Sequence, residues 1–385
     1  MSEREELPYK ISMLGPTRVG KTSIVASMLH GGEQMLIGSS VTMSAGDPRT
    51  ERLIALTVQG LQGALKAGAF QPESLRQTNE PQHFTLLLDS GVPGAAVRFD
   101  LLDFPGGWLN PITRPEGREQ DWQECLRFIK ESSVLIVPVD AGVLMEAALQ
   151  EYKRAWPAIL RIADVVKVAG DWAAGRKVAG EDEPALLVYC PVKCESYFDD
   201  NGGRIDRSEE LFRRFHDEYG EVIDRVRREY GGVDQLYCPV DTIGCVELRS
   251  AEWIPAGVDE GSWRFAPTFQ LRPEALNGNA TLAPKGVDDV LAALCRHLME
   301  ARQAAEKLSA EGADSAHDQA RELADRSEGI FRDLVLWLTR ERARRHQAEW
   351  EAGARAKEVR GRVDALDKVV RDIADRPLGH RARGL

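Results

Sequence analysis

The octet Gly15-Pro-Thr-Arg-Val-Gly20-Lys21-Thr22 constrains this chain more than any other feature, because it fits the spacing GxxxxGK[ST]. An apolar, β-branched run at 9–14 precedes it, and a stretch of helical composition at 21–29 follows. Strand, glycine-rich turn and helix in that order predict a backbone that wraps a phosphate. The glycines permit the tight turn, and the first N–H groups of the helix meet the anion at the positive end of the helix dipole. Gly15, Pro16, Thr17, Arg18, Val19, Gly20, Lys21, Thr22 and Ser23 are the expected phosphate cradle. Lys21 is placed to reach the outer phosphates, and Thr22 to offer its hydroxyl to Mg2+.

Short apolar runs at 84–88, 97–102, 134–139, 185–190 and 235–240 alternate with long stretches of helical composition. This alternation predicts an α/β fold with a mostly parallel sheet. The interval from Leu29 to Phe84 is long for one connection, and 50–66 carries Leu53, Leu56, Leu61 and Leu65 in a helix-compatible pattern, so a helical insertion is expected near 46–70. The Gly-rich, Ala-rich and charged patch at 170–184 and the Gly/Asn/Pro patch at 257–284 read as surface loops, the second with a small edge strand around Phe265. Val287, Val290, Leu291, Leu294 and Leu298 restore a helix over 286–302.

The chain has 385 residues and a net charge of −11, from 50 Lys and Arg against 61 Asp and Glu. That balance argues against general binding of nucleic acid or anionic lipid, which requires excess positive charge. Residues 301–385 hold 18 basic and 16 acidic side chains, so the negative charge belongs to 1–300. Two units are therefore expected: an α/β body at 1–300 and a helical tail at 301–385. In the tail, Val359, Val363, Leu366, Val370 and Ile373 make a two-heptad seam. It would serve either a hairpin folded back on the body or a short coiled coil for self-association or a protein partner. The six cysteines lack metal-ligand spacing, the start MSEREELPYK lacks the pattern of a secretory signal, and no apolar run approaches a membrane span. A cytoplasmic protein with reduced thiols is expected.

A second element of the phosphate site is an acid closing a buried strand. The stretch 97–107 alternates Val97, Phe99 and Leu101, ends in Asp103, and places Gly106 three residues on. With the loop at 15–22, this DxxG resembles the translation-factor-related class of P-loop GTPases. The resemblance implies a three-layer P-loop NTPase fold. It gives Asp103 the Mg2+ role and has the Gly106 N–H sense the γ phosphate of GTP. Those GTPases read guanine with [NT]KxD after a later strand. Here Val192-Lys193-Cys194-Glu195 keeps the lysine and the carboxylate, with Val in place of Asn or Thr and Glu in place of Asp. Asp241-Thr-Ile-Gly244 falls where the last base-contacting loop would lie. Thr78 is the candidate threonine that closes on the γ phosphate and Mg2+, and Thr50 is the alternative.

Hydrolysis is expected to be slow, because Gly107 stands where many of these GTPases carry a water-orienting glutamine. Arg18, inside the phosphate loop, resembles the arginine that guanylate-binding proteins carry there and is the candidate internal arginine finger; a solvated loop arginine is the competing reading. Residues 108–120 read as a nucleotide-sensitive loop. His30, His83 and the acidic pairs Asp199-Asp200 and Glu209-Glu210 read as structural. Within the class the motif order resembles bacterial conflict-associated double-GTPase or GTPase-associated-system proteins, implying nucleotide-gated assembly with protein partners. Three readings stand: a Mg2+-dependent GTPase switch, a P-loop ATPase, and a nucleotide-binding scaffold without turnover.

Overall fold

The computed structural model describes residues 7–37, 41–66, 68–72, 78–92, 96–147, 150–179, 184–201, 205–255, 263–272, 281–311, 368 and 370–385. Strand β1 (Leu7–Met13) leads into helix α1 (Lys21–Met35), then β2 (Thr42–Ala45), α2 (Pro48–Lys66) and the two-residue β3 (Ala69–Phe70). Next come β4 (Gln82–Asp89), β5 (Ala96–Asp103), α3 (Glu119–Glu131), β6 (Val134–Asp140), and helices α4 (Ala141–Met145), α5 (Gln150–Ile159) and α6 (Ile162–Ala179). The chain continues through β7 (Ala185–Val192), α7 (Ser208–Glu229), β8 (Val233–Tyr237), β9 (Val246–Pro255), β10 (Trp263–Leu271), α8 (Val287–Glu311) and β11 (Arg383–Gly384).

Eight strands form a mixed sheet in the order β11-β8-β7-β6-β1-β5-β4-β2. The five central strands β8, β7, β6, β1 and β5 run parallel, and β4, β2 and β11 are antiparallel additions at the two sides. Strands β6 and β7 are buried along their whole length, which is why they read as unbroken apolar runs rather than alternating ones. Helices cover both faces. On one face α1, α2, α8 and the segment from Val370 pack through Ile24, Met28, Ile54, Leu294 and Ile373. On the other, α3, α6 and α7 contribute Trp122, Ile129, Trp172, Phe215 and Tyr219. The protein is thus an α/β fold with a mostly parallel sheet, as the alternation predicts.

Three expectations change. The patch at 170–184 is not a loop throughout, because α6 continues to Ala179. Val165, Ala169, Trp172 and Ala173 share one face of that helix and are buried, and the Trp172 indole donates to the Ser132 carbonyl at 2.7 Å. Burial of that face outweighs the local cost of Gly170 and Gly175. The small edge strand near Phe265 is β10, which pairs antiparallel with β9 and β3 in a separate three-stranded sheet. Helix α8, finally, runs without a break through position 300. Of the heptad seam, Val359, Val363 and Leu366 lie outside the described residues, whereas Val370 and Ile373 are buried against the body.

Candidate functional site

The loop at 15–22 is aimed by the sheet. Strand β1 lies between β5 and β6, and the Leu14 N–H donates to the Ile136 carbonyl at 2.8 Å, so the chain leaves β1 at a fixed point. Arg18 and Gly20 adopt left-handed backbone angles, with φ of 64° and 115°, which curl the loop. Gly20 is the N-cap of α1 and offers no side chain there, so the first turn of the helix carries no side-chain cap. The Lys21 ammonium folds back into this curl and donates to the carbonyls of Gly15 at 3.2 Å and Pro16 at 3.0 Å. Burial lowers the Lys21 pKa, and the nearby Asp103 carboxylate partly restores it.

Asp103 reaches the loop because β5 is the immediate neighbour of β1, with Met13 and Asp103 in register. Its Oδ2 accepts the Thr22 hydroxyl at 2.5 Å and the Thr78 hydroxyl at 3.3 Å, and the two hydroxyls lie 3.1 Å apart. Its Oδ1 is buried, has no hydrogen-bond partner, and lies 3.9 Å from the Lys21 ammonium. Burial raises the Asp103 pKa against the opposing effects of Lys21, Thr22 and Thr78. A buried carboxylate oxygen without a hydrogen-bond donor, beside the Thr22 hydroxyl, can accept from a metal-bound water, so the residues fit Mg2+. No group of three or more His, Cys, Asp or Glu among the described residues could cage a metal by itself. The donor set therefore suits an ion that arrives with substrate phosphates.

Of the two candidate threonines, Thr78 is the one at the site. Thr50 is fully buried, donates to Asp47 at 2.7 Å and accepts from the Thr85 N–H at 2.9 Å, which fixes the start of α2. Gly106 is pressed against the loop, and a Cβ there would stand 2.2 Å from the Thr17 nitrogen and 2.6 Å from the Gly15 carbonyl oxygen. Only glycine permits that approach. Beyond it, Trp108 is buried in a short 3-10 turn (Gly106–Leu109) rather than lying in an open loop. Arg114 anchors the turn by donating to the Trp108 carbonyl at 3.1 Å.

At the other end of the cleft, the turn after β7 presents Lys193 and Glu195. Lys193 has a left-handed backbone (φ 57°), and its ammonium donates to Asp140 Oδ2 at 2.5 Å, tying the ends of β7 and β6 together. Glu195 is buried. Its Oε1 accepts the Ile243 N–H at 3.4 Å and its Oε2 has no partner. Burial, with the charge of Asp241 beside it, pushes the Glu195 pKa up to about 7. A buried carboxylate with an unfilled acceptor suits a ligand that brings its own N–H donors.

Two arginines that the sequence reading missed hold this end in place. The Arg272 guanidinium donates to the Val246 carbonyl at 2.9 Å and to the Glu195 carbonyl, joining the Glu195 turn to β9. Arg381 donates to Asp241 Oδ2 at 2.8 Å, pairs with Asp200 and stacks over the Phe198 ring. Asp241 also accepts the Cys194 thiol at 3.1 Å. No local pattern marks either arginine, because each acts across a long stretch of chain. Asp200 is therefore an ion-pair partner, and Glu209 likewise pairs with Arg383. His30 contacts Gln34, and His83 packs on Phe128; neither lines the cleft.

One cleft joins the two ends, lined by Thr17 to Ser23, Thr78, Asp103 and Gly106 on one side and Lys193, Glu195 and Ile243 on the other. Arg18 is exposed at its edge. Among the described residues no helix is long and apolar enough to cross a membrane. All six cysteines are free. No protein-family model matches the chain, and a search of curated proteins found no match.

Proposed function

We propose that the chain binds a Mg2+–nucleoside triphosphate, with GTP the fitting ligand, and works as a slow GTPase whose nucleotide state sets its conformation or assembly. The observation that carries this reading is the convergence of Thr22, Thr78 and Lys21 on Asp103 beneath a loop that Gly106 touches. Lys21 and the uncapped first turn of α1 supply the positive potential for the phosphates. Thr22 and Asp103, the latter through water, would hold Mg2+. When bound, that ion offsets the negative charge on the β and γ phosphates. Thr78, already within hydrogen-bond reach of both, is positioned to close the γ side.

Glu195 favours guanine over adenine on chemical grounds. Guanine presents two adjacent N–H donors on one edge, and a carboxylate with a free oxygen can accept both; adenine has no such pair. Arg18, exposed at the rim of the cleft, is the group that can turn toward a γ phosphate as charge develops there. The resemblance to translation-factor-related GTPases agrees with this assignment of roles.

The deciding experiment is titration of the purified chain with GTP, GDP and ATP, with Mg2+ and with chelator. Mg2+-dependent binding of GTP in preference to ATP, lost in Lys21→Ala and weakened in Asp103→Ala, is expected. Preference for ATP would hand the site to an ATPase, and unchanged affinity in both variants would sink it altogether.

A further inference from the structure

Helix α2 lies along the cleft. Leu53, Leu56, Thr57, Gly60 and Leu61 recur at three- and four-residue steps, share one face and line the cavity. Near its start, Thr50 is bonded to Thr85 of β4. Toward its end, Leu61 and Leu65 cluster with Ile243, Val246 and Phe269. Ile243 is the residue whose N–H meets Glu195, so the later turns of α2 approach the Glu195 end of the cleft.

This face has nothing to offer a phosphate. It carries no charge, and the hydroxyl of Thr57 is already spent on the Leu53 carbonyl at 2.9 Å. The cations and donors for anionic oxygens, Lys21 and Thr22, sit elsewhere in the cleft. An uncharged wall beside them matches the uncharged part of a nucleotide, its base and ribose. Gly60 interrupts the wall, and a Cβ built there meets nothing within 4 Å. Glycine within a helix costs about 1 kcal/mol relative to alanine. At this position its lack of a side chain keeps the cleft open.

We infer that the face of α2 centred on Gly60, with Phe269 of β10, is the nucleoside wall of the site, so that the protein selects nucleoside triphosphates over bare polyphosphate chains. The inference rests on the nucleotide reading above and adds the element that encloses the nucleoside. A bulky side chain at 60 enters the space the nucleoside needs and leaves the phosphate end untouched.

The test is calorimetric titration of wild type, Gly60→Ala and Gly60→Phe with Mg2+ and either GTP or inorganic tripolyphosphate, with melting temperatures as a check on folding. Because phenylalanine is a better helix former than glycine and faces open space, Gly60→Phe is expected to fold; Gly60→Leu replaces it otherwise. Gly60→Phe should weaken GTP by about tenfold or more, roughly 1.4 kcal/mol, while tripolyphosphate binding stays unchanged. Gly60→Ala, which adds a single methyl, should weaken GTP less than phenylalanine does and leave tripolyphosphate unchanged. GTP affinity unaltered by phenylalanine, or equal losses of GTP and tripolyphosphate, would overturn the wall. Failure of the wild type to bind any nucleotide would instead overturn the underlying reading.

Discussion

Arg381 and Asp241 are paired at 2.8 Å with only 3% of the arginine side chain and none of the aspartate exposed to solvent. The arginine follows a segment packed on α8, whereas the aspartate opens the 241–244 turn beside Glu195. The pair therefore ties the last described segment to the carboxylate end of the cleft.

Removing one partner of such a pair strands the other charge in a buried site. Arg381→Ala should destabilise the protein by about 3 kcal/mol, read as a shift in the urea midpoint. It should also weaken guanine-nucleotide binding, because Asp241 without the guanidinium beside it makes ionisation of Glu195 harder. A variant with wild-type stability and affinity would show that the pair contributes neither support nor tuning.

If Glu195 reads guanine as proposed, both stability and binding should depend on pH. Its pKa is raised in the fold to about 7 from the ordinary 4.5, so folding favours the protonated form. That contribution is fully present below the unfolded value and is lost as pH rises through about 7. The ligand-free protein should accordingly melt higher near pH 5.5 than near pH 8, as far as this group is concerned. Guanine requires the ionised form, so GTP affinity should fall by about tenfold per unit below pH 7 and level off above it. Glu195→Gln should flatten both profiles and erase any preference for GTP over ATP; profiles identical to wild type would remove Glu195 from the site.

The same substitution should act oppositely at two glycines. In Gly106→Ala the new methyl would collide with the backbone of Thr17 and Pro16, at 2.2 and 2.3 Å, so the loop must move. Nucleotide affinity should drop by about tenfold or more, measured by titration with GTP. In Gly63→Ala, within α2, the methyl meets nothing within 4 Å. There the gain in helix propensity should stabilise the protein by about 0.5–1 kcal/mol in a urea melt, with binding unchanged.

Arg18 tests turnover separately from binding. Exposed at the rim of the cleft, it makes no hydrogen bond that holds the loop together among those described. Arg18→Ala should keep GTP affinity within about twofold but cut phosphate release at high protein concentration by on the order of a hundredfold. Release equal to wild type would return the residue to the role of a solvated loop arginine.

The sequence by itself determined the parts of the site whose geometry is local. A strand, two glycines, Lys21 and Thr22 are neighbours along the chain, so the curl of 15–22 is built from local contacts, with Lys21 donating to the Gly15 and Pro16 carbonyls. The alternating strand that ends in Asp103 likewise carries its own signal. Periodicity also marked α2, which buries one face with its own repeat, and unbroken apolar runs marked β6 and β7, which are buried along their whole length. It failed at 170–179, where composition suggested a loop and the burial of Trp172 against a distant carbonyl made a helix.

Only the tertiary structure decided what depends on elements far apart in the chain. The sequence offers Thr78 as the candidate and Thr50 as the alternative, and the folded chain brings the Thr78 hydroxyl to Asp103 and spends that of Thr50 on Asp47. The raised pKa of Glu195 comes from burial and from Asp241, neither of which the spelling VKCE contains. The uncharged wall of α2 and the ion pair of Arg381 arise in the same way. A hydrophobic period tells which face is buried, but not what it is buried against, and a charge in the sequence does not name its partner. Those pairings follow from how strands and helices pack, which only the folded chain expresses.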